Sequence, residues 1–200
     1  MSNSISRDRS DIDISEQLTV YNGYLKVNRY TLRFKQFDGQ WSSPVVREIV
    51  LKQPAVSVLI YDPKLDAVLL VEQVRLGALE DQDSPWLLEC VAGLIDYDQS
   101  PEDTAIREAE EEAGCVLQQV RVLYEYYVTP GCCDEKVYAC YAEADLSAVS
   151  GIHGLASENE DIRVHVVKVD QAFHWLESGR INNVNTIIAL QWLSLQRQTS

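Results

Sequence analysis

The sequence contains no basic cluster, no long apolar run and no paired cysteine motif, and each absence excludes a class of protein. Its 17 basic residues face 31 acidic ones, giving a formal charge of −14 that would repel a nucleic-acid backbone. No apolar run approaches the roughly 18 residues of a membrane span, and the polar N-terminus lacks a signal-peptide core. The five cysteines are odd in number, without CxxC or zinc-ligand spacing, which favours reduced thiols. We therefore expect a cytoplasmic protein that binds neither nucleic acid nor membranes.

The composition is that of a folded chain. Its 200 residues are 46% hydrophobic and 24% charged, which predicts one main domain with a sizeable core. Residues 1–15 are expected to be irregular, and residues 18–34 then alternate around a Tyr-Asn-Gly turn signal that predicts a β-hairpin. Many strands with few helices predict an α+β fold, a mixed α/β/α sandwich.

Hydrophobic periodicity and turn signals place the remaining elements. The predicted strands are Val45–Leu51, Val56–Tyr61, Ala67–Val74, Trp86–Val91, Val120–Val128, Val137–Ala142 and Arg163–Val169. The predicted helices are Pro101–Ala113, Asp170–Ser178 and a terminal helix whose apolar stripe runs from Val184 to Leu195. In the first of these helices Ser100 is the expected N-cap and Gly114 the expected end.

Three carboxylates share one face of the first predicted helix. Glu108, Glu111 and Glu112 stand at positions i, i+3 and i+4, where like charges destabilise an isolated helix by about 0.2–0.5 kcal/mol per pair. A hard divalent cation such as Mg²⁺ is a natural neutralising partner, since it prefers oxygen ligands. From the spacing alone a solvated acidic face is the favoured interpretation, so the spacing by itself does not establish a metal site.

The surrounding residues favour the metal. From Gly93 to Cys115 the chain reads Gly-x5-Gln-x7-Arg-Glu-Ala-x-Glu-Glu-x-Gly-Cys, which closely resembles the box of the Nudix family. The resemblance implies a Nudix fold that hydrolyses a nucleoside diphosphate linked to another group, with Mg²⁺ or Mn²⁺ as cofactor. It also implies that Glu108 and Glu112 are the principal metal ligands, that Glu111 assists, and that Ala92 or Gly93 offers a backbone carbonyl.

One position departs from the family pattern, which has Glu where this chain has Gln99. A neutral amide hydrogen-bonds but supplies no negative charge to pair with Arg107 or to support a cation. Because the three helix glutamates are intact, we expect the change to weaken or retune the box and not to abolish it.

Further likeness points to the ADP-ribose pyrophosphatase subgroup, closely to its enterobacterial members. A proline 16 residues after Gly114 is typical of that subgroup, although Pro130-Gly131 would also make an ordinary turn. Residues 86–93 and 150–167 are similar as well. The resemblance implies ADP-ribose as substrate, AMP and ribose 5-phosphate as products, and Glu158 as general base in a mobile loop; Glu160 is a further base candidate or a solvated acid.

The resemblance also assigns substrate contacts. Arg47 and Arg75 occupy positions suited to gripping the diphosphate, with an ordinary strand ion pair as the alternative. Tyr24 matches an aromatic that stacks on adenine, or else it is a core residue. Pro130 and Gly131 are counted with the substrate-binding residues. In this subgroup the N-terminal strands exchange across a homodimer, so we divide the chain into a dimer-forming β region, 1–52, and a Nudix hydrolase domain, 53–200.

Two other functions remain open. The same box could cleave another nucleoside diphosphate sugar or a dinucleoside polyphosphate. A non-hydrolytic ADP-ribose-binding regulator is the alternative from another class, and Gln99 favours it. The intact glutamates and the lack of a spare helical domain with a basic helix favour the enzyme.

Overall fold

A computed structural model describes residues 7–199, apart from the side chains of Glu158 and Thr199, and divides into two compact units. The first unit contains the chain up to Lys52 together with Tyr127–Glu135. The second contains Gln53–Tyr126 and the chain from Lys136 onward.

The first unit is built on a three-stranded antiparallel sheet in the order β1-β2-β3. Its strands are β1, Ile12–Asn22; β2, Lys26–Phe34; and β3, Val45–Leu51. Asn22 lies opposite Lys26, so the chain reverses at the Tyr-Asn-Gly signal and the predicted hairpin is confirmed.

The expectation of an irregular segment over residues 1–15 is wrong from residue 12 onward, and residues 1–6 lie outside the described part of the chain. Residues 12–14 pair with residues 34–32 of β2, and Arg33 Nε lies 2.8 Å from the Asp13 carboxylate. This segment is polar enough to look unstructured by composition alone. Its order comes from cross-strand pairing, which local sequence does not reveal.

An eight-stranded mixed sheet forms the centre of the second unit, with six strands in the order β10-β11-β5-β4-β9-β8. Two further strands pair with its two central strands, β6 with β5 and β7 with β4. The bounds are β4, Ala55–Asp62; β5, Ala67–Val74; β6, Trp86–Glu89; β7, Val91–Leu94; β8, Arg121–Tyr127; β9, Lys136–Glu143; β10, Ile152–His153; and β11, Ile162–Lys168. Strands β4 and β9 are parallel, whereas β4 and β5 are antiparallel.

Helices cover both faces of this sheet. They are α1, Pro101–Ala113; α2, Val169–Glu177; and α3, Val184–Thr199. Side chains alternate across β5: Leu69 and Val71 belong to the apolar cluster that contains Ala109 of α1, while Val68 and Leu70 belong to the cluster of α2 and α3. The predicted α/β/α sandwich is therefore confirmed.

The predicted strand Trp86–Val91 is wrong as a single strand. It is interrupted at Cys90, whose backbone N–H donates to Thr186 Oγ1 at 2.8 Å instead of to a sheet neighbour. The interruption lets β6 pair with β5 and β7 with β4. Because the partner hydroxyl lies 96 residues away, the local sequence carries no sign of the break.

Among the described residues, no helix is both long and apolar enough to cross a membrane. The longest helix, α3, has 16 residues. All five cysteine thiols are free.

Candidate active site

Helix α1 begins and ends where the sequence predicts. Ser100 Oγ accepts a hydrogen bond from the Asp103 N–H at 3.0 Å, and Pro101 lies in the first turn. At the other end Gly114 adopts a φ of +59°, the left-handed conformation that glycine takes without strain. These two ends fix the register that places the three glutamates.

Glu112 is nearly buried beside strand β7, with only 4% of its surface exposed. Its carboxylate accepts a hydrogen bond from the Ala92 N–H at 3.1 Å. Burial raises the pKa of Glu112 to about 8; the Ala92 N–H opposes the rise, and the charges of Glu108 and Glu160 add to it. An ionised carboxylate at this place therefore needs a compensating positive charge.

Glu108 lies against Gly93 of the same strand. A Cβ added at Gly93 would fall 1.9 Å from Glu108 Oε1, so only glycine leaves space for this carboxylate. Burial raises the pKa of Glu108 to about 7, Arg107 opposes the rise, and Glu111 and Glu160 add to it. Strand β7 thus contacts both glutamates: the Ala92 N–H donates to the buried Glu112, and the missing side chain of Gly93 leaves space for the partly buried Glu108.

Arg107 stands among these carboxylates. Its Nη2 is 2.8 Å from Glu108 Oε1, and its Nη1 donates to Glu111 Oε2 at 2.9 Å. Its Nε donates to Gln99 Oε1 at the longer distance of 3.4 Å. Two of the three predicted carboxylate ligands are therefore paired with a guanidinium.

Within the described residues, no three His, Cys, Asp or Glu side chains already converge on one point as a closed metal centre would require. The three glutamates are gathered on one side of α1, but Arg107 holds Glu108 and Glu111. The available donors are all oxygens, which suits a hard divalent cation. To accept it, Glu108 and Glu111 must leave Arg107 or share their oxygens with it.

A second ion pair belongs to this site. Arg75 Nε lies 2.7 Å from Glu89 Oε2, and burial raises the pKa of Glu89 while Arg75 lowers it. The Arg75 charge also lowers the pKa of Glu112, although less than burial raises it. Glu89 is not among the site residues predicted from the sequence. The sequence does offer one sign of it, because Glu89 is the one acidic residue in the apolar run Trp-Leu-Leu-Glu-Cys-Val.

The loop that carries the expected general base is joined to the last turn of α1. The Gly154 N–H donates to the Glu111 carbonyl oxygen at 3.3 Å. Within the loop the Leu155 N–H donates to the Glu160 carboxylate at 3.1 Å. The side chain of Glu158 lies outside the described part of the chain, and its backbone closes a short 3-10 turn between these two anchors.

Tyr24 and Arg47 belong to the first unit. Tyr24 lies in the turn between β1 and β2 with its side chain fully exposed, which rules out the core-residue alternative. Arg47 lies on β3 opposite Tyr30, and its Nη1 donates to the Val46 carbonyl at 2.8 Å.

Pro130 and Gly131 also belong to the first unit, in the connection between β8 and β9. The N–H groups of Cys132 and Cys133 donate to the Thr129 carbonyl at 3.1 and 3.0 Å, which closes a turn around the Pro-Gly pair. The expected contact residues are thus divided between the two units, with Arg75 and the carboxylates in the second.

Comparison with known proteins identifies the family. The family model described as NUDIX domain matches residues 51–190. The chain is 44% identical over 190 residues to the ADP-ribose pyrophosphatase of Escherichia coli (strain K12), covering 95% of this chain and 91% of the relative. It is also 44% identical to the ADP-ribose pyrophosphatase of Haemophilus influenzae, covering 94% and 88%. A GDP-mannose pyrophosphatase of Pectobacterium atrosepticum is 31% identical, covering 91% and 93%.

A solved crystal structure of an ADP compounds hydrolase has the same fold. It matches with a TM-score of 0.72 over 96% of this chain and 98% of that chain, at 22% identity. The matched domain contains the carboxylate helix, strand β7 and the loop joined to them. The family model and the sequence relatives agree, and the chain belongs to the Nudix family of hydrolases.

Proposed function

We propose that this chain hydrolyses the diphosphate bond of ADP-ribose, releasing AMP and ribose 5-phosphate. The observation that carries the proposal is the 44% identity, over 95% of the chain, to a relative named for that activity. All three glutamates of the box are present on α1, which favours turnover over mere binding.

Mg²⁺, or Mn²⁺ in its place, is the proposed cofactor, with Glu108 and Glu112 as principal ligands. Glu111 assists, and the Ala92 carbonyl is the proposed backbone ligand. The buried position of Glu112 and the space that Gly93 leaves for Glu108 support this ligand set. When bound, the cation neutralises diphosphate charge and lowers the pKa of a water molecule.

Glu158 is the proposed general base, with Glu160 as the second candidate. The hydrogen bonds of the loop support this: one joins Gly154 to the helix that carries the proposed ligands, and the other joins Leu155 to Glu160 across the turn that contains Glu158. Glu160 already accepts the Leu155 N–H, which favours a role in shaping the loop over proton abstraction. A base on a loop acts only when the substrate is in place.

Substrate recognition is proposed for Arg75, Arg47 and Tyr24, and Pro130 and Gly131 are counted among the substrate-binding residues. A guanidinium donates bidentate hydrogen bonds to phosphate oxygens, and the full exposure of Tyr24 leaves its ring free to stack on adenine. Arg75 is now paired with Glu89, so phosphate binding there requires sharing or exchange of that ion pair.

We further propose a homodimer, with residues 1–52 as its β region and residues 53–200 as the hydrolase domain. Large apolar side chains stand exposed on the first unit, which supports burial against a second copy. They include Leu18, Val20, Tyr21, Phe34 and Val46. Tyr24 then serves the site of the partner subunit.

The substrate is tested by comparing kcat/KM for ADP-ribose, GDP-mannose and diadenosine polyphosphates at a fixed Mg²⁺ concentration. We expect ADP-ribose to be preferred by at least about tenfold, a difference of roughly 1.4 kcal/mol in transition-state binding. The 31% identical GDP-mannose pyrophosphatase makes GDP-mannose the sharpest rival. Preference for a rival would overturn the substrate, and tight ADP-ribose binding without turnover would favour a regulator.

A further inference from the structure

Gln99 is where this chain departs from the box pattern of its family, and its amide holds Arg107 only weakly. Gln99 Oε1 accepts from Thr104 Oγ1 at 3.1 Å and from Arg107 Nε at 3.4 Å. The second distance is at the outer limit of a hydrogen bond, and a neutral acceptor binds a guanidinium less strongly than a carboxylate does.

Arg107 therefore makes its short contacts elsewhere. Its Nη atoms lie 2.8 Å from Glu108 and 2.9 Å from Glu111, whereas Asp96 is 4.0 Å away. The arginine side chain is 31% exposed and that of Glu108 only 12%, so their ion pair is shielded from solvent. Water and salt cannot easily replace it.

A guanidinium and a divalent cation need the same oxygens. Arg107 and a divalent cation repel each other when both bind Glu108 and Glu111. Binding of one therefore weakens binding of the other. Arg107 thus already supplies a positive charge to two of the proposed ligands. An incoming Mg²⁺ must displace it or share with it.

We propose that Gln99 is a positioning residue that weakens cation binding by leaving Arg107 on Glu108 and Glu111. The inference rests on the proposed function, specifically on its metal ligands. A glutamate at position 99 would offer Arg107 a carboxylate at the point where the amide now stands. It would draw the guanidinium toward itself and release both ligands for Mg²⁺.

The test is a calorimetric titration of Mg²⁺ alone into the full chain, without nucleotide. We expect Gln99→Glu to bind Mg²⁺ about tenfold more tightly than the unmodified chain, since a charge-assisted bond is roughly twice as strong as a neutral one. Gln119→Glu is the matched control, because it adds the same charge at an exposed position beyond α1. We expect the Mg²⁺ affinity of that control to stay within about twofold of the affinity of the unmodified chain. The difference should be smaller still at high salt, because salt screens long-range attraction.

A double-mutant cycle shows whether the effect passes through Arg107. In an Arg107→Met background, Gln99→Glu should tighten Mg²⁺ binding no more than Gln119→Glu does. Circular dichroism establishes that the variants fold; if Arg107→Met does not fold, Arg107→Lys replaces it. Lysine keeps the positive charge but lacks the bidentate donors of a guanidinium. The gain in Mg²⁺ affinity caused by Gln99→Glu should therefore shrink by at least half.

Two results would overturn the inference: equal Mg²⁺ affinity in Gln99→Glu and the unmodified chain, or undiminished tightening without Arg107. Either can occur while the unmodified chain binds Mg²⁺ and cleaves ADP-ribose, which leaves the proposed function standing. If the unmodified chain takes up no Mg²⁺ at all, the proposed metal site fails and this inference fails with it.

Discussion

Ionising the carboxyl group of Glu112 inside the protein is costly, and burial raises its pKa to about 8. A bound cation would offset that cost, so charge and not shape is what the side chain contributes. Glu112→Gln keeps the shape and can still accept the Ala92 N–H. We expect this variant to fold but to lose both Mg²⁺ binding in calorimetry and ADP-ribose turnover in a product assay.

Glu110→Gln is the matched control for that variant. Glu110 lies on the same helix, two residues away, and its side chain is exposed. Turnover close to that of the unmodified chain is expected. Equal losses in the two variants would mean that the charge of the helix as a whole, and not the buried ligand, supports activity.

Glu158 has a different proposed task, and its replacement should have a different kinetic signature. Removing a general base slows the chemical step without weakening binding. Glu158→Gln should therefore lower kcat by roughly 10²–10⁴-fold and leave KM nearly unchanged. Steady-state kinetics with ADP-ribose give both constants.

Ser157→Ala, in the same loop, should keep the kcat of the unmodified chain. An unchanged kcat in Glu158→Gln would remove the base from the mechanism. A proportional rise in KM would instead assign Glu158 to substrate or metal binding.

Asp62 shows how a buried carboxylate remains ionised without a cation. It accepts hydrogen bonds from the N–H groups of Leu146, Leu65 and Lys64 at 2.8, 3.0 and 2.8 Å. The Leu146 and Leu65 N–H groups are the main cause of its lowered pKa. Because the folded pKa lies below the unfolded value of 3.8, this stabilisation is full above pH 3.8 and is lost as the pH falls through the folded pKa.

Asp62→Asn tests that linkage, because its amide nitrogen would face a backbone donor. We expect the variant to be less stable than the unmodified chain at pH 7. The difference should narrow as the pH falls below about 4, where Asp62 takes up a proton in the unfolded chain but still stays ionised in the folded one. Urea denaturation between pH 7 and pH 3 measures it. A difference that does not change with pH would contradict the assignment.

At the scale of elements, strand β7 and helix α1 pack together and jointly position the carboxylate of Glu108. Gly93→Ala would place a Cβ 1.9 Å from Glu108 Oε1, and the flexible end of that glutamate would turn away. We expect little loss of thermal stability but weaker Mg²⁺ binding and slower turnover. Gly77→Ala is the control, because no atom lies within 4 Å of its added Cβ. Unchanged Mg²⁺ affinity in Gly93→Ala would contradict the close packing of β7 and α1.

The sequence predicts α1 to the residue because its start and stop signals are local. Ser100 and Gly114 act within one turn of the residues they cap. The gathering of its glutamates is equally predictable from helical spacing. The interruption at Cys90 and the ion pair between Arg75 and Glu89 were not predictable, since each depends on residues at least 14 positions apart.

At the scale of the whole molecule, the exposed apolar side chains of the first unit make the homodimer testable. Light scattering at micromolar concentration should give about twice the chain mass of 22.6 kDa. Val20→Glu, which charges an exposed apolar position of β1, should shift the protein toward the monomer. A single-chain mass for the unmodified protein would rule out a shared substrate site.

Chain organisation was predictable only in part. The hairpin of β1 and β2 follows from alternation and a turn signal, but Tyr127–Glu135 joins the first unit through long-range pairing, as in the bridge between Val50 and Cys133. Sequence spacing gives no measure of such contacts. The resemblance to the Nudix box was informative because the box runs from strand β7 through helix α1, and so predicts how several elements come together.

The measurement that most directly tests the account is detection of AMP by phosphorus NMR after incubating ADP-ribose with the protein. We expect AMP and ribose 5-phosphate when Mg²⁺ is present, and neither when Mg²⁺ is chelated or Glu112 is replaced by Gln. Equal AMP formation with and without the cation, or intact ADP-ribose in every sample, would contradict it.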